Sequence, residues 1–185
     1  MPDRRSMIVL VTALAAAPLA GCGGDDSASV TPRRMADSLH AVMEADRTVY
    51  TQRVVNRLAN EEGVIEASEH WKDDKALPLP AQMFRMGAEE AADDEAGFSY
   101  SLQSRWPINK QNAPRTDAEK KGLKAVAEDP STNFYTREEL GGRMYFTAVY
   151  PDKAVAKACV VCHNNHDDSP RSDFELGMIE TGAGQ

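Results

Sequence analysis

Five residues near the C-terminus carry the strongest chemistry in the chain: Cys159-Val160-Val161-Cys162-His163. Two thiols at this spacing can add to the two vinyl groups of a haem, and a histidine directly after the second thiol is then placed beneath the iron. This is the spacing of c-type haem attachment. Three other readings use the same residues. A disulfide between Cys159 and Cys162 leaves the histidine without a role. A thioredoxin-like redox pair belongs at a helix start in an early βαβ unit, a pattern the sequence lacks. Zinc is the third, because Cys159, Cys162, His163 and His166 form C-x-x-C-H-x-x-H. Structural zinc draws its ligand pairs from separated segments so that the ion ties the chain together, and four ligands in one short loop fix little else. The spacing therefore points to one covalently bound haem c near the C-terminus, with a zinc-stabilised binding module as a remaining alternative.

The third cysteine, Cys22, closes an export signal. Arg4 and Arg5 make a short positive start, residues 7–20 are an apolar run broken by Pro18, and Leu19-Ala20-Gly21-Cys22 follows. The run is too short to cross a hydrocarbon core of about 30 Å as a helix. A positive start, a short apolar stretch and small residues before a cut site make a secretory signal. An N-terminal core helix would need a polar second face, which this segment does not have. The order Leu-Ala-Gly-Cys resembles the bacterial lipoprotein signal, which implies cleavage before Cys22 and a lipid on its thiol. The expected divisions are a signal peptide over 1–21, a flexible tether over 22–32, one domain over 33–180 and a tail over 181–185. Such a protein sits on the periplasmic side, anchored by acyl chains to a membrane, expected to be the outer one.

The chain has 185 residues, 42% of them hydrophobic and 27% charged, which suits one globular domain. Twenty-one Lys and Arg against 29 Asp and Glu leave a net charge of −8. That balance argues against sequence-independent nucleic-acid binding, which needs cationic side chains to displace counterions. Three cysteines are too few for a disulfide scaffold, and one lipid anchor plus one haem pair uses all three.

The elements that must position the motif follow from periodicity. Residues 35–60 read as one long helix: Leu39, Met43, Tyr50, Val54 and Leu58 share a face, with Asp37, Glu44, Arg53 and Arg57 mostly away from it. Residues 81–92 form a second helix after Pro78 and Pro80. Residues 98–104 alternate as a half-buried strand. Thr116-Asp117-Ala118-Glu119 has capping-box spacing and opens a helix to about residue 128. Residues 133–135 are β-prone, and residues 144–150 (MYFTAVY) give the strongest strand signal. Helices followed by strands and turns predict an α+β domain with an antiparallel sheet.

Beyond the cysteine motif, segments 45–58 (ADRTVYTQRVVNRL), 77–86 (LPLPAQMFRM), 106–114 (WPINKQNAP), 141–151 (GGRMYFTAVYP) and 158–170 (ACVVCHNNHDDSP) resemble a family of exported bacterial single-haem proteins. Its domain is PAS-like and occurs alone, as in haem lipoproteins, or as the sensory part of histidine kinases and chemoreceptors. The resemblance implies covalent haem on Cys159 and Cys162 with His163 as the proximal iron ligand. The chain departs from the family at its end: after Phe174-Glu175-Leu176-Gly177 the family runs on into an apolar strand, and here a short, Gly-rich stretch follows instead.

Function then turns on the far side of the iron. His40 and His70 are the imidazole candidates, and Met83 and Met86 the thioether candidates, with Met86 and His70 ranked ahead of His40. Arg85, Arg105 and Lys110 are candidate partners for haem propionates. No Ser-His-Asp order, Gly-rich phosphate loop or paired apolar carboxylates marks an enzyme. The expected role is a redox or small-ligand (gas) sensor, signalling through a separate membrane protein because the chain carries no transmitter domain. A single-electron-transfer cytochrome with a redox partner is the alternative.

Overall fold

The computed structural model of the chain describes residues 29–93, 97–177 and 179–184. The expected signal peptide, Cys22 and the first part of the tether lie outside them.

Helix α1 (Pro32–Val49) starts where local chemistry dictates. The Thr31 side chain accepts from Arg34 N–H at 3.2 Å, and Pro32 occupies the first turn, where a missing N–H costs nothing. Residues 31 and 32, expected in the tether, thus belong to the helix and its cap. The helix continues without a break as a π-helical stretch, Tyr50–Glu61, with wider turns of the Glu62 N–H to Arg57 carbonyl type. The single long helix expected over 35–60 is present, but its fully buried residues are Arg47, Thr51 and Val55. The expected stripe residues Tyr50, Val54 and Leu58 are half-buried beside them.

Two short strands, β1 (Ala67–Ser68) and β2 (Leu77–Pro78), pair in parallel before helix α2 (Pro80–Asp93). The strand expected over 98–104 is not formed. This segment has no regular secondary structure, and Ser104 N–H bonds to the Asn112 carbonyl in the following loop rather than to a strand. Alternating polarity cannot supply a neighbouring strand, and the residues of this segment that are fully buried are the polar Gln103 and Ser104.

Helix α3 (Asp117–Glu128) opens with the expected capping box: Thr116 accepts from Glu119 N–H at 3.1 Å, and Glu119 accepts from Thr116 N–H at 2.8 Å. Strands β3 (Phe134–Leu140) and β4 (Arg143–Lys153) form an antiparallel hairpin through Gly141 and Gly142, both at positive φ (57° and 79°). The final strand β5 (Ile179–Gly184) pairs antiparallel with β4, so the sheet order is β3-β4-β5. Residues 181–184 are therefore sheet and not tail. Glycine is tolerated because β5 is an edge strand, bonded on one side, where a central strand would need side chains to pack.

Successive β4 residues point to opposite faces. Val149 faces α3, where it packs with Leu123, Val126 and Phe134, while Tyr150 faces α1 and stacks on His40 at 3.9 Å. Both faces are covered only over residues 147–150, which are buried in succession, whereas Met144 and Tyr145 at the start of the strand are exposed. The result is an α+β domain, with β4 at its centre.

Candidate haem-attachment site

Helix α4 (Lys157–Asn165) carries the motif. At 3.6 residues per turn, Cys159, Cys162 and His163 (i, i+3, i+4) fall on one helix face. Cys159 is half-buried and Cys162 is exposed. His163 is half-buried, with its ring edge-on to Phe174 at 5.2 Å. The Asn164 side chain holds the Phe174 backbone. Phe174 is itself buried, edge-on to Trp106 at 6.4 Å, with the Arg171 guanidinium over both rings.

Burial holds the His163 imidazole below its ordinary pKa, and the positive charges of Arg47 and His166 push the same way. The neutral form is the one that ligates a metal. Its Nδ1 is buried without a hydrogen-bond partner. Arg47, reaching this region from α1, is 9% exposed and pairs with Asp152 of β4, 105 positions further along the chain. Its Nε is also buried without a partner. Sequence reasoning missed Arg47, although a signal existed: it lies four residues after Met43 and seven before Val54, a charge on an apolar stripe.

The candidates for the far side of the iron are scattered. The His40 ring stacks on Tyr150. His70 is 73% exposed, with Nε2 3.8 Å from Glu69, whose other oxygen lies 3.5 Å from His166 Nε2. Glu69 thus links the turn carrying His70 to the end of α4. Met83 and Met86 are half-buried on α2, where Phe84 meets Tyr100 edge-on at 4.9 Å. Of the propionate candidates, Arg85 lies 3.5 Å from Glu89, Arg105 sits over the Trp106 ring, and Lys110 donates to the Pro107 carbonyl.

The arrangement of these residues does not support the zinc alternative. Among the described residues no three His, Cys, Asp or Glu side chains gather as a metal-binding group. A helical Cys-x-x-Cys-His lines its side chains along one face instead of closing them around an ion, and His166 lies beyond the last turn as an extended C-cap.

A haem fits the residues better. None of the nine residues of α4 is buried, nor is any of residues 80–92 of α2. Two helices in a folded domain with no fully covered side chain are suited to packing against a large flat apolar body. Buried nitrogens without partners, as on His163 and Arg47, each cost about 1–3 kcal/mol, and an iron-ligating, carboxylate-bearing group gives both residues a role.

A wider cavity of about 990 Å³ lies elsewhere, between α1, residues 97–100 and β4, lined by Met35, Leu39, Met43, Phe98, Tyr145 and Phe146 among others. It has no part of α4 in its wall.

Comparison with known proteins agrees with this architecture. No curated protein sequence matches the chain. The fold is similar to that of a solved cyanobacterial haem protein, Tll0287, at 13% identity with a TM-score of 0.53, over 84% of this chain and 94% of that one. At that identity the likeness concerns the fold alone. The family model described as Tll0287-like matches residues 26–182, nearly the whole described domain. The chain belongs to the Tll0287-like family.

Proposed function

We propose that the protein binds one haem c, attached through Cys159 and Cys162 and ligated by His163, and that it senses redox state or a small ligand. The observation that carries this reading is the single helix face presenting both thiols and a half-buried imidazole, on a helix with no buried residue. The haem character of the solved relative and the family match support it, as the helix-and-sheet architecture supports a PAS-like domain. Bound haem supplies a one-electron couple and a site for small ligands. The chain does the rest: the cysteines fix the group covalently, burial favours the neutral form of His163, and Phe174 meets its ring edge-on. Sensing is favoured over electron transfer because neither imidazole candidate is held at α4, His40 being stacked on Tyr150 and His70 standing in solvent, which leaves only a weaker thioether, from Met83 or Met86 of α2, to close the sixth position. The role is binding rather than catalysis. Lipidation of Cys22 would hold the domain at the periplasmic face of a membrane, where a signalling partner would read its state.

The test is an absorption spectrum of the export-matured protein, oxidised and reduced, followed by denaturation and carbon monoxide addition. Expected are haem that stays with the denatured chain, its loss in Cys159→Ala and Cys162→Ala, and rapid carbon monoxide binding to the ferrous form. Release of all haem on denaturation overturns the attachment. A ferrous form that excludes carbon monoxide overturns sensing in favour of electron transfer.

A further inference from the structure

Arg47 is a buried charge that neither attaches nor ligates the haem. A guanidinium keeps its charge under all conditions met by a folded protein, so burying one is costly unless every donor finds an acceptor. Asp152 takes Nη1, and Nε is left buried with none. The helix of Arg47 runs beside the chain that leads from Asp152 into α4: Gln52, Arg53 and Asn56 line one cleft with Val155, Ala156 and Lys157, the first residue of α4. A buried pair fully satisfied by Asp152 would need no further donor, whereas here a planar fork, built to meet carboxylates, has one N–H unused.

We propose that Arg47 is the buried counter-charge of the haem: its Nε–H donates to a propionate carboxylate, and its charge favours the ferrous over the ferric form. This rests on the haem reading above and names a residue of the same site. Arg47 is a positioning residue, held by Asp152, and takes the role the sequence had offered to Arg85, Arg105 and Lys110. Those three are more exposed or already engaged with neighbours on their own segments. Ferric iron carries one more positive charge than ferrous, so a fixed cation nearby shifts the equilibrium towards the reduced state, and a fixed anion shifts it back. Arg47 and Asp152 should therefore act with opposite signs.

The experiment is a spectroscopic redox titration of matured holoprotein in wild type, Arg47→Met, Arg47→Lys and Asp152→Asn. Arg47→Met is expected to lower the ferrous-to-ferric ratio at fixed potential about tenfold, equivalent to 59 mV for one electron. Arg47→Lys should stay within about threefold of wild type, and Asp152→Asn should raise the ratio. A purely structural ion pair would move both partners' variants the same way or not at all, and either result overturns the proposal. If Arg47→Met does not accumulate with haem, the remaining two variants decide: a retained potential in Arg47→Lys with a raised one in Asp152→Asn supports it, and any other pattern overturns it. Wild type without covalent haem overturns the haem reading instead, so the two failures are distinguishable.

Discussion

Asn164 grips the main chain of Phe174 from both sides: its Oδ1 accepts from Phe174 N–H at 2.8 Å and its Nδ2 donates to the Phe174 carbonyl at 3.0 Å. This fixes the ring that meets His163, and it ties α4 to a loop. Asn164→Ala removes both bonds from a part-buried site and is expected to cost about 1–3 kcal/mol. Asn164→Asp keeps the acceptor and loses the donor, so it should fall between. Urea midpoints of the three proteins check the order, and a wild-type midpoint for Asn164→Ala contradicts it.

A second prediction concerns Gly122, where α3 crosses β4. A Cβ there would overlap Val149 and come within 2.9 Å of Phe134 Cδ1. Alanine favours a helix over glycine by about 1 kcal/mol, but overpacking a tight core costs about 1–3 kcal/mol or more. Because backbone-held β4 cannot yield, the clash should win. Gly122→Ala is expected to unfold at lower denaturant with an unchanged m-value.

Glu119 does more than cap. Its buried carboxylate accepts from Arg115 N–H, from Thr116 N–H and from the Gln103 amide at 2.6 Å. Thr116→Ala loses one capping bond and should cost about 1 kcal/mol. Glu119→Ala strands three donors beneath α3 and should cost at least about 3 kcal/mol, with Gln103 left unpaired on its amide side. Equal losses in the two variants would show that capping alone matters.

Stability should fall with acid in two stages in haem-free protein. Burial holds His40 below its ordinary 6.5, against the pull of Glu44, Asp152 and Asp37, so the unfolded chain takes up that proton first and stability drops as pH falls below about 6.5. The Tyr135 hydroxyl, with help from Tyr150, Arg33 and His40, holds Asp37 below its ordinary 3.8 despite partial burial. Its contribution is present above about 3.8 and disappears as pH falls through the lower folded value. His40→Phe should reduce the first slope, and Asp37→Asn the second. Denaturation midpoints from pH 7.5 to pH 3 read both.

The elements were legible wherever one physical signal was enough. Thr116 and Glu119 announce their helix through spacing alone, and the β-prone run in β4 announces a strand. The face shared by Cys159, Cys162 and His163 followed from the motif once α4 was helical. What spacing could not show was partnership. The 98–104 segment alternates like a strand but has no neighbour to pair with, whereas 179–184 looks too poor in side chains and pairs because β4 offers it a free edge. Arg47 with Asp152 and Asn164 with Phe174 are tertiary facts, the first across 105 positions of sequence. They depend on how the helices lie against the sheet and loops, which no window of neighbouring residues contains.

The wide-turned stretch Tyr50–Glu61 has one more consequence. An α-helix advances about 100° per residue, whereas five-residue hydrogen-bond steps take up an extra residue without moving the helix off its axis. Thr51 and Val55 thereby continue the line begun by Arg47, where strict α-geometry would have brought Val54 and Leu58 inward. The stretch works as a vernier: its residue count sets the angle at which everything downstream meets the domain. Shortening it by one residue would leave composition and propensity almost unchanged, yet rotate the two ends of the helix out of phase, so that His40 could keep Tyr150 only if Val55 gave up its place.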